Sequence, residues 1–570
     1  MDTPSSGKSS AAADIEALLS VGRHRDAVAA AQAALVIDPR SVVLLNLLVV
    51  AQLMVGDAAA AAATAREALE IDPSARDVAQ NLAAAQEILR ANCRLALAEL
   101  SVLTHEAERL EAAYRAVANA HDAGVLDPAA EGVALGLFLR LAAGEEADRR
   151  WPFAEVGRRL AARGDHASLI HQLPRVRSDA DRRELLAQHR AWGRDAEARA
   201  ASDPVRPAAR GPRSQVRVAL VSSDLRNHGV GALCDPVVGH AAEAGVEVFC
   251  YSAHPGAADR AQEHYAARVA KFVHAPGADA RTIAEAIAAD APDVVIEIGG
   301  STNANRLEAL AHRLAPRQLS WLGYPHSTGL STIDEILLDP HLAPTAPDLL
   351  VERARLLPAT WLTLSPAYFH DRQPLSVALP EERAGCITFG SAGSPYKYTP
   401  ETLDAWARVL AAVPGSRLLI VRPEGGSAVF RAHVLAHLAR AGVAPNRLVV
   451  APIRAGHMRL YGDIDIALDT FPLTGGMTTC EALWSGVPVV TVAGPGVFER
   501  LSHSLLTNAG LGDLSTTSPD AFVARAVALA DDREVRRAWR THCRERLRLS
   551  PLGDARGFAM DFWRTVADAA

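Results

Sequence analysis

The 570-residue sequence carries 59 basic and 66 acidic side chains, a formal net charge of −7, with 49% hydrophobic and 22% charged residues. That length exceeds what one hydrophobic core organises and points to about three domains. The mild acidity excludes a general nucleic-acid binder, whose surface needs a basic face. The first residues lack the charged start and apolar core of a signal peptide, and no run of about 18 uncharged apolar residues follows, so no membrane span is expected. The cysteines at 93, 234, 250, 386, 480 and 543 form no C-x-x-C pair, which fits reduced thiols in a cytoplasmic protein. Only three of the basic residues are lysines, Lys8, Lys271 and Lys397.

An internal repeat comes first in the chain. Val21-Gly22, Ala34-Leu35 and Ile37-Asp38-Pro39 recur 34 residues later as Val55-Gly56, Ala68-Leu69 and Ile71-Asp72-Pro73. Small residues fill the intervals and the proline falls at a turn. This period is that of tetratricopeptide repeats, helix pairs stacked into a superhelix. A weaker echo follows at Leu126-Asp127-Pro128. Helical character continues to about 202, and the Pro- and Gly-rich stretch 203–213 reads as a linker.

Beyond the linker the pattern alternates. Strands are predicted at 216–222, 246–251, 294–298, 318–322 and 335–338, with helices between. A second series follows at 386–390, 417–421, 448–452, 465–468 and 487–492. Apolar strands alternating with helices form parallel sheets covered on both faces. The expected division is 1–202 repeats, 214–375 a first Rossmann-like lobe, and 376–570 a second. Ligands of such lobes bind where strand C-terminal ends face a cleft.

The most informative stretch runs from Leu468 to Pro488. A strand ends near Leu468, Gly475-Gly476 follow, and a helix begins about Met477 with Thr478 and Thr479 in its first turn. Glycines let the backbone approach an anion, and the free N–H groups of a helix start hold it. Glu481 sits beyond the phosphate region, placed to accept from ribose hydroxyls. A simple capped helix start accounts for the same residues. Lys397 lies in the loop after the first strand of the second lobe. In a chain that otherwise writes Arg, a compact ammonium there suits a diphosphate oxygen. His228 follows the first strand of the first lobe, at the opposing wall, either as a reacting group or as a loop histidine without chemistry. Gly229-x-Gly231 in the same loop breaks the dinucleotide pattern, since Cys234 takes the third glycine position. Trp321-Leu-Gly-Tyr-Pro325 ends a strand and suits a sugar face or a rigid turn. His457 either stacks on a base or caps the next helix. Asp463 and Asp465 read as a helix end and a strand start, so no metal is expected.

These motifs together resemble the O-linked N-acetylglucosamine transferases in a bacterial form: repeats, then S-S-D-x-x-x-H at 222–228, W-L-G-Y-P at 321–325, Y-K at 396–397 and L-D-T…T-T-C-E-A-L-W at 468–484. The resemblance spans nearly the whole chain. It implies a glycosyltransferase-B fold and inverting, metal-independent transfer of N-acetylglucosamine from its uridine diphosphate donor to Ser or Thr hydroxyls, with no cofactor. By motif match, Lys397 contacts the diphosphate, Thr478 and Thr479 its phosphates, Glu481 the ribose and His457 the uridine. Arg454, Gly476 and Met477 complete that set, and Leu322, Gly323, Tyr324 and Pro325 line the sugar pocket. His228 and Lys397 are the catalytic pair, although the family does not settle the general base. The implied partners are a UDP-sugar and protein or peptide acceptors held by the repeats, with no nucleic acid and no membrane. Met477 stands where bacterial relatives usually carry Thr and Ser394 where the animal enzymes carry Gln. The repeat array is short and the animal intervening domain is absent. A transferase for another nucleotide sugar, and a nucleotide-binding scaffold without turnover, are the rival readings.

Overall fold

The structure is a computed structural model that describes residues 6–100, 106–373, 375–453 and 455–568. The chain divides into two compact units, Met1–Ala134 and Leu135–Ala570.

The first unit is helical. Ser6–Ser20 pairs with His24–Ile37, Val42–Met54 with Ala58–Ile71, and Arg76–Ala98 and Ala107–Asp122 continue the stack. Gly22 and Gly56, equivalent in the repeat, both take positive φ (76° and 84°) at the turn inside each pair, a conformation open to glycine. Asp57 caps the fourth helix by accepting from the Ala60 N–H at 3.0 Å. Alanines at 58, 61, 62, 65 and 68 are buried, so small side chains let neighbouring helices approach closely. Ile15, Ala27, Ala31, Leu44, Leu48 and Ala51 form one core under the first three helices.

The second unit holds two parallel sheets. Among the described residues, the first sheet contains β1 (Val216–Val221), β2 (Val246–Ser252), β3 (Lys271–His274), β4 (Val294–Glu297), β5 (Arg317–Ser320), β6 (Glu335–Leu338) and β7 (Arg353–Leu356), in the order β3-β2-β1-β4-β5-β6-β7. The second contains β8 (Thr388–Ser391), β9 (Arg417–Val421), β10 (Leu448–Ala451), β11 (Ile466–Leu468), β12 (Val489–Val492) and β13 (Ser515–Thr516), in the order β10-β9-β8-β11-β12-β13. Each sheet reverses its winding beside its first strand, between β1 and β4 and between β8 and β11. Such switch points open a crevice at the strand C-termini.

Two boundaries differ from the sequence reading. The units divide near 134, not at 203–213. The helix Asp179–Ser202 belongs to the second unit, where Trp192, Ala196 and Ala200 share a core with Ala219, Val295 and Leu310 of the first lobe. The helix Ala555–Ala567, assigned by position to the second lobe, packs on the first instead. Phe558, Phe562 and Trp563 join Val218, Leu319 and Trp321 in one core, and the Trp563 indole N–H donates to the Val237 carbonyl at 2.8 Å. Helical periodicity reports an apolar face but not which sheet it meets. All six cysteines are free, and five of them are buried. No described helix is long and apolar enough to cross a membrane.

Candidate active site

The two switch points supply the site's loops. After β8 the chain makes a short turn, Pro395–Lys397, and then enters the helix Pro400–Ala412. After β11 it runs through Asp469–Gly476 into the helix Met477–Trp484. The Lys397 ammonium donates to the Thr474 carbonyl at 2.9 Å, two residues before Gly476. The ammonium and the helix start therefore converge. No side chain caps this helix, so its first N–H groups keep their positive end available to an anion. Burial lowers the Lys397 pKa to about 8, with Asp469 opposing the shift and Arg422 adding to it. A lysine held this way is poised to gain an anionic partner.

Asp469 organises the glycine loop. Its carboxylate accepts from the Thr470 N–H at 2.8 Å, the Gly475 N–H at 2.9 Å and the Thr491 hydroxyl at 2.7 Å. Burial raises its pKa, and the Ser502 and Thr491 hydroxyls, the Lys397 charge and the Thr470 N–H work against the rise. A methyl group on Gly475 would strike the Thr479 hydroxyl, so only glycine fits there. Thr479 is tied into the loop. Its hydroxyl is buried and lies 2.8 Å from Ser502 Oγ, which in turn donates to the Gly475 carbonyl at 2.9 Å. It is used to hold the loop, while Thr478 and Met477 stay half-buried at the helix opening.

Glu481, nearly fully buried, accepts from the Tyr368 hydroxyl at 2.6 Å and the Tyr461 hydroxyl at 3.1 Å, and lies 3.0 Å from His457 Nε2. The carboxylate thus ties His457 to the helix start. Arg454 lies outside the described residues. Asp463 pairs with Arg383 at 3.0 Å, and Asp465 accepts from the Glu381 and Thr388 N–H groups at 3.1 and 2.9 Å, so both serve local structure.

The opposing wall comes from the first lobe. His228 caps the helix Gly229–Gly239, its Nδ1 accepting from the Val230 N–H at 3.3 Å. Loss of water lowers the His228 pKa, against the pull of Asp224 at 3.7 Å. With Nδ1 accepting, the proton of the neutral ring sits on Nε2. A methyl group on Gly229 would lie 3.5 Å from Met477 Cγ, so the His228 loop faces the opening of the second lobe's helix.

The Trp321–Pro325 turn is tightly built. Leu322 takes φ +71°, a left-handed conformation rarely open to a branched side chain. A methyl on Gly323 would strike the Ile298 carbonyl, and one on Gly300 would strike Tyr324. Leu322, Gly323 and Pro325 stay half-buried, whereas Tyr324 is buried and supports the turn from behind. Asp469, Tyr368, Tyr461 and Ser502, which brace the candidate site, are not singled out by the sequence reading. Asp469 alone had a signal, its place at a strand end before the glycine pair.

Two parallel-sheet lobes meeting at paired switch points, preceded in the chain by a repeat unit, define a glycosyltransferase-B architecture. Glycosyl transferase family 41 matches residues 177–363 and 375–562, and the chain belongs to that family. A Petunia hybrida protein described as a probable UDP-N-acetylglucosamine–peptide N-acetylglucosaminyltransferase SPINDLY is 34% identical over 375 residues, 63% of this chain and 40% of the relative. An Arabidopsis thaliana protein of the same description is 33% identical over 360 residues, 61% and 39% of the two chains. This chain thus spans about 40% of the length of the curated relatives it matches. A solved structure of a Thermobaculum terrenum O-GlcNAc transferase mutant superposes with a TM-score of 0.63 at 25% identity, covering 100% of both chains.

Proposed function

We propose that this chain transfers N-acetylglucosamine from its uridine diphosphate donor to Ser or Thr hydroxyls of polypeptides, with inversion and without a metal. The observation that carries the reading is the convergence of the Lys397 ammonium with the uncapped helix start at Gly476–Met477. The names of the relatives, which describe probable peptide N-acetylglucosaminyltransferases, support the sugar and the class of acceptor.

The reaction is a single displacement. An acceptor hydroxyl attacks the anomeric carbon from the face opposite the diphosphate. The C–O bond to the diphosphate breaks as the new one forms, uridine diphosphate leaves with the bonding electron pair, and the acceptor hydroxyl's proton passes to water. Negative charge grows on the leaving oxygens, where Lys397 and the helix N–H groups stabilise it. Glu481 and His457 hold the ribose and uracil end, and Leu322 to Pro325 receive the sugar. His228, protonated on Nε2 in the free enzyme, serves first as a donor at the reacting centre. The acceptor polypeptide is recruited by the repeats.

Mass-shift assays on peptide acceptors with UDP-GlcNAc, in competition with other nucleotide sugars, test the reading. Transfer of N-acetylglucosamine by the wild type, lost in Lys397→Ala with the fold intact, is expected. Uridine diphosphate binding without product from any donor would leave the chain a scaffold, and preferred use of another donor would reassign the sugar.

A further inference from the structure

The sugar-receiving turn is braced from outside both sheets. The helix Asp179–Ser202 presents His189, whose side chain is fully buried. Its Nδ1 lies 2.8 Å from the Leu185 carbonyl one turn earlier. A carbonyl only accepts, so Nδ1 carries the proton and Nε2 keeps a lone pair. Burial holds the ring's pKa near 4, so it is neutral at physiological pH. Tyr324 completes the chain, its hydroxyl donating to His189 Nε2 at 2.7 Å. One backbone carbonyl therefore sets the proton positions on both side chains.

The helix also meets this region by backbone contact. A methyl on Gly193 would strike the Gly329 carbonyl, and one on Gly329, at φ +82°, would strike the His189 carbonyl. Arg190 reaches the Gly329 carbonyl at 3.0 Å, and Ser331 donates to Glu197 at 2.8 Å. His326 packs edge-on against His189, ring centroids 4.9 Å apart, and against Phe498 of the second lobe. Two residues before Tyr324, Leu322 sits in its left-handed conformation, which persists only where the surroundings impose it.

We propose that His189 is a positioning residue for the donor sugar: through Tyr324 it fixes the Trp321–Pro325 turn in the conformation that receives the hexose. The proposal rests on the transferase reading and assigns a specific part to a helix outside both sheets. Nucleotide contacts lie on the second lobe, so the relay governs the sugar and leaves the nucleotide alone. Loosening a binding surface by an ångström is enough to reduce turnover heavily.

The test uses the full chain carrying His189→Leu, His189→Gln, Tyr324→Phe or the Leu/Phe pair. Calorimetry with UDP and with UDP-GlcNAc is set beside kcat and KM for transfer. UDP affinity should stay within about twofold of wild type, while kcat and the affinity gained from the sugar fall about tenfold in His189→Leu and in Tyr324→Phe. The double variant should lose no more than the worse single one, because both break the same link. Gln, whose Oε1 can accept from the tyrosine, should recover most of the loss. Turnover within about twofold of wild type in His189→Leu, equal losses for UDP and UDP-GlcNAc, or additive losses in the pair would each overturn the proposal. A wild-type chain that binds UDP but no UDP-sugar overturns the transferase reading and this proposal with it, and is told apart because the defect precedes any substitution.

Discussion

At the scale of single residues, Lys397 carries the sharpest expectations. Lys397→Ala should lower kcat about a hundredfold or more, the usual scale for losing one stabilising donor in a transition state, with circular dichroism unchanged. Its folded pKa of about 8 lies below the ordinary 10.5. The proposed mechanism uses the charged form, so kcat/KM should decline as pH rises through about 8. Bound diphosphate favours the ammonium, so the matching decline in kcat should fall at higher pH. Stability runs the other way. Between 8 and 10.5 the unfolded chain holds more protons at this residue, so stability rises with pH across that window. Below it the buried charge is a burden, and Lys397→Met should melt higher than wild type at neutral pH while transferring nothing. A melting temperature equal to or below wild type would contradict this account. Glu481 is the second case. Glu481→Ala removes the carboxylate that accepts from the Tyr368 and Tyr461 hydroxyls and lies beside His457, and should weaken UDP binding about tenfold or more, measured by calorimetry.

Elements were legible in proportion to their periodicity. Gly22 and Gly56 announced the repeat because a turn needs them in both copies. The strands Glu335–Leu338 and Arg417–Val421 fell where their apolar runs placed them. The strands β3, β7 and β13 were missed because they are short and only partly buried, with no apolar run to report them. The candidate site residues follow the same rule. Lys397, Gly475 and Glu481 stand at strand ends or helix starts, where position along the chain implies position in space. Tyr368 comes from the Pro-rich connector and Tyr461 from an isolated turn, and only tertiary contact brings them to Glu481. The C-terminal helix Ala555–Ala567 yields its own prediction. Trp563→Ala removes a fully buried ring and an indole hydrogen bond from the first lobe. It should cost about 3–5 kcal/mol and lower the melting temperature by several degrees. A shift confined to the second lobe, read by hydrogen exchange, would contradict the packing described.

Across the second unit, the helical stretch before the first sheet holds both lobes. His189 and Gly193 reach the first, and Arg177 and Arg182 reach Glu401 and Glu499 of the second. Glu499 is 2% exposed, with Gly496 N–H as a further donor at 2.6 Å. Arg182→Met leaves that carboxylate buried without its cation, a loss of about 3 kcal/mol. The expected result is a lower melting temperature together with reduced transfer, since a catalytic constellation split between two walls needs both at a fixed separation. Unchanged melting would remove the brace from the account.

The return of Ala555–Ala567 to the first sheet also orders events in time. During synthesis, Val218, Leu319 and Trp321 emerge long before the aromatic side chains that cover them. The earlier lobe waits, one face uncovered, until the later lobe has left the ribosome. Chaperone capture of nascent chains should therefore persist until Trp563 has emerged from the ribosome.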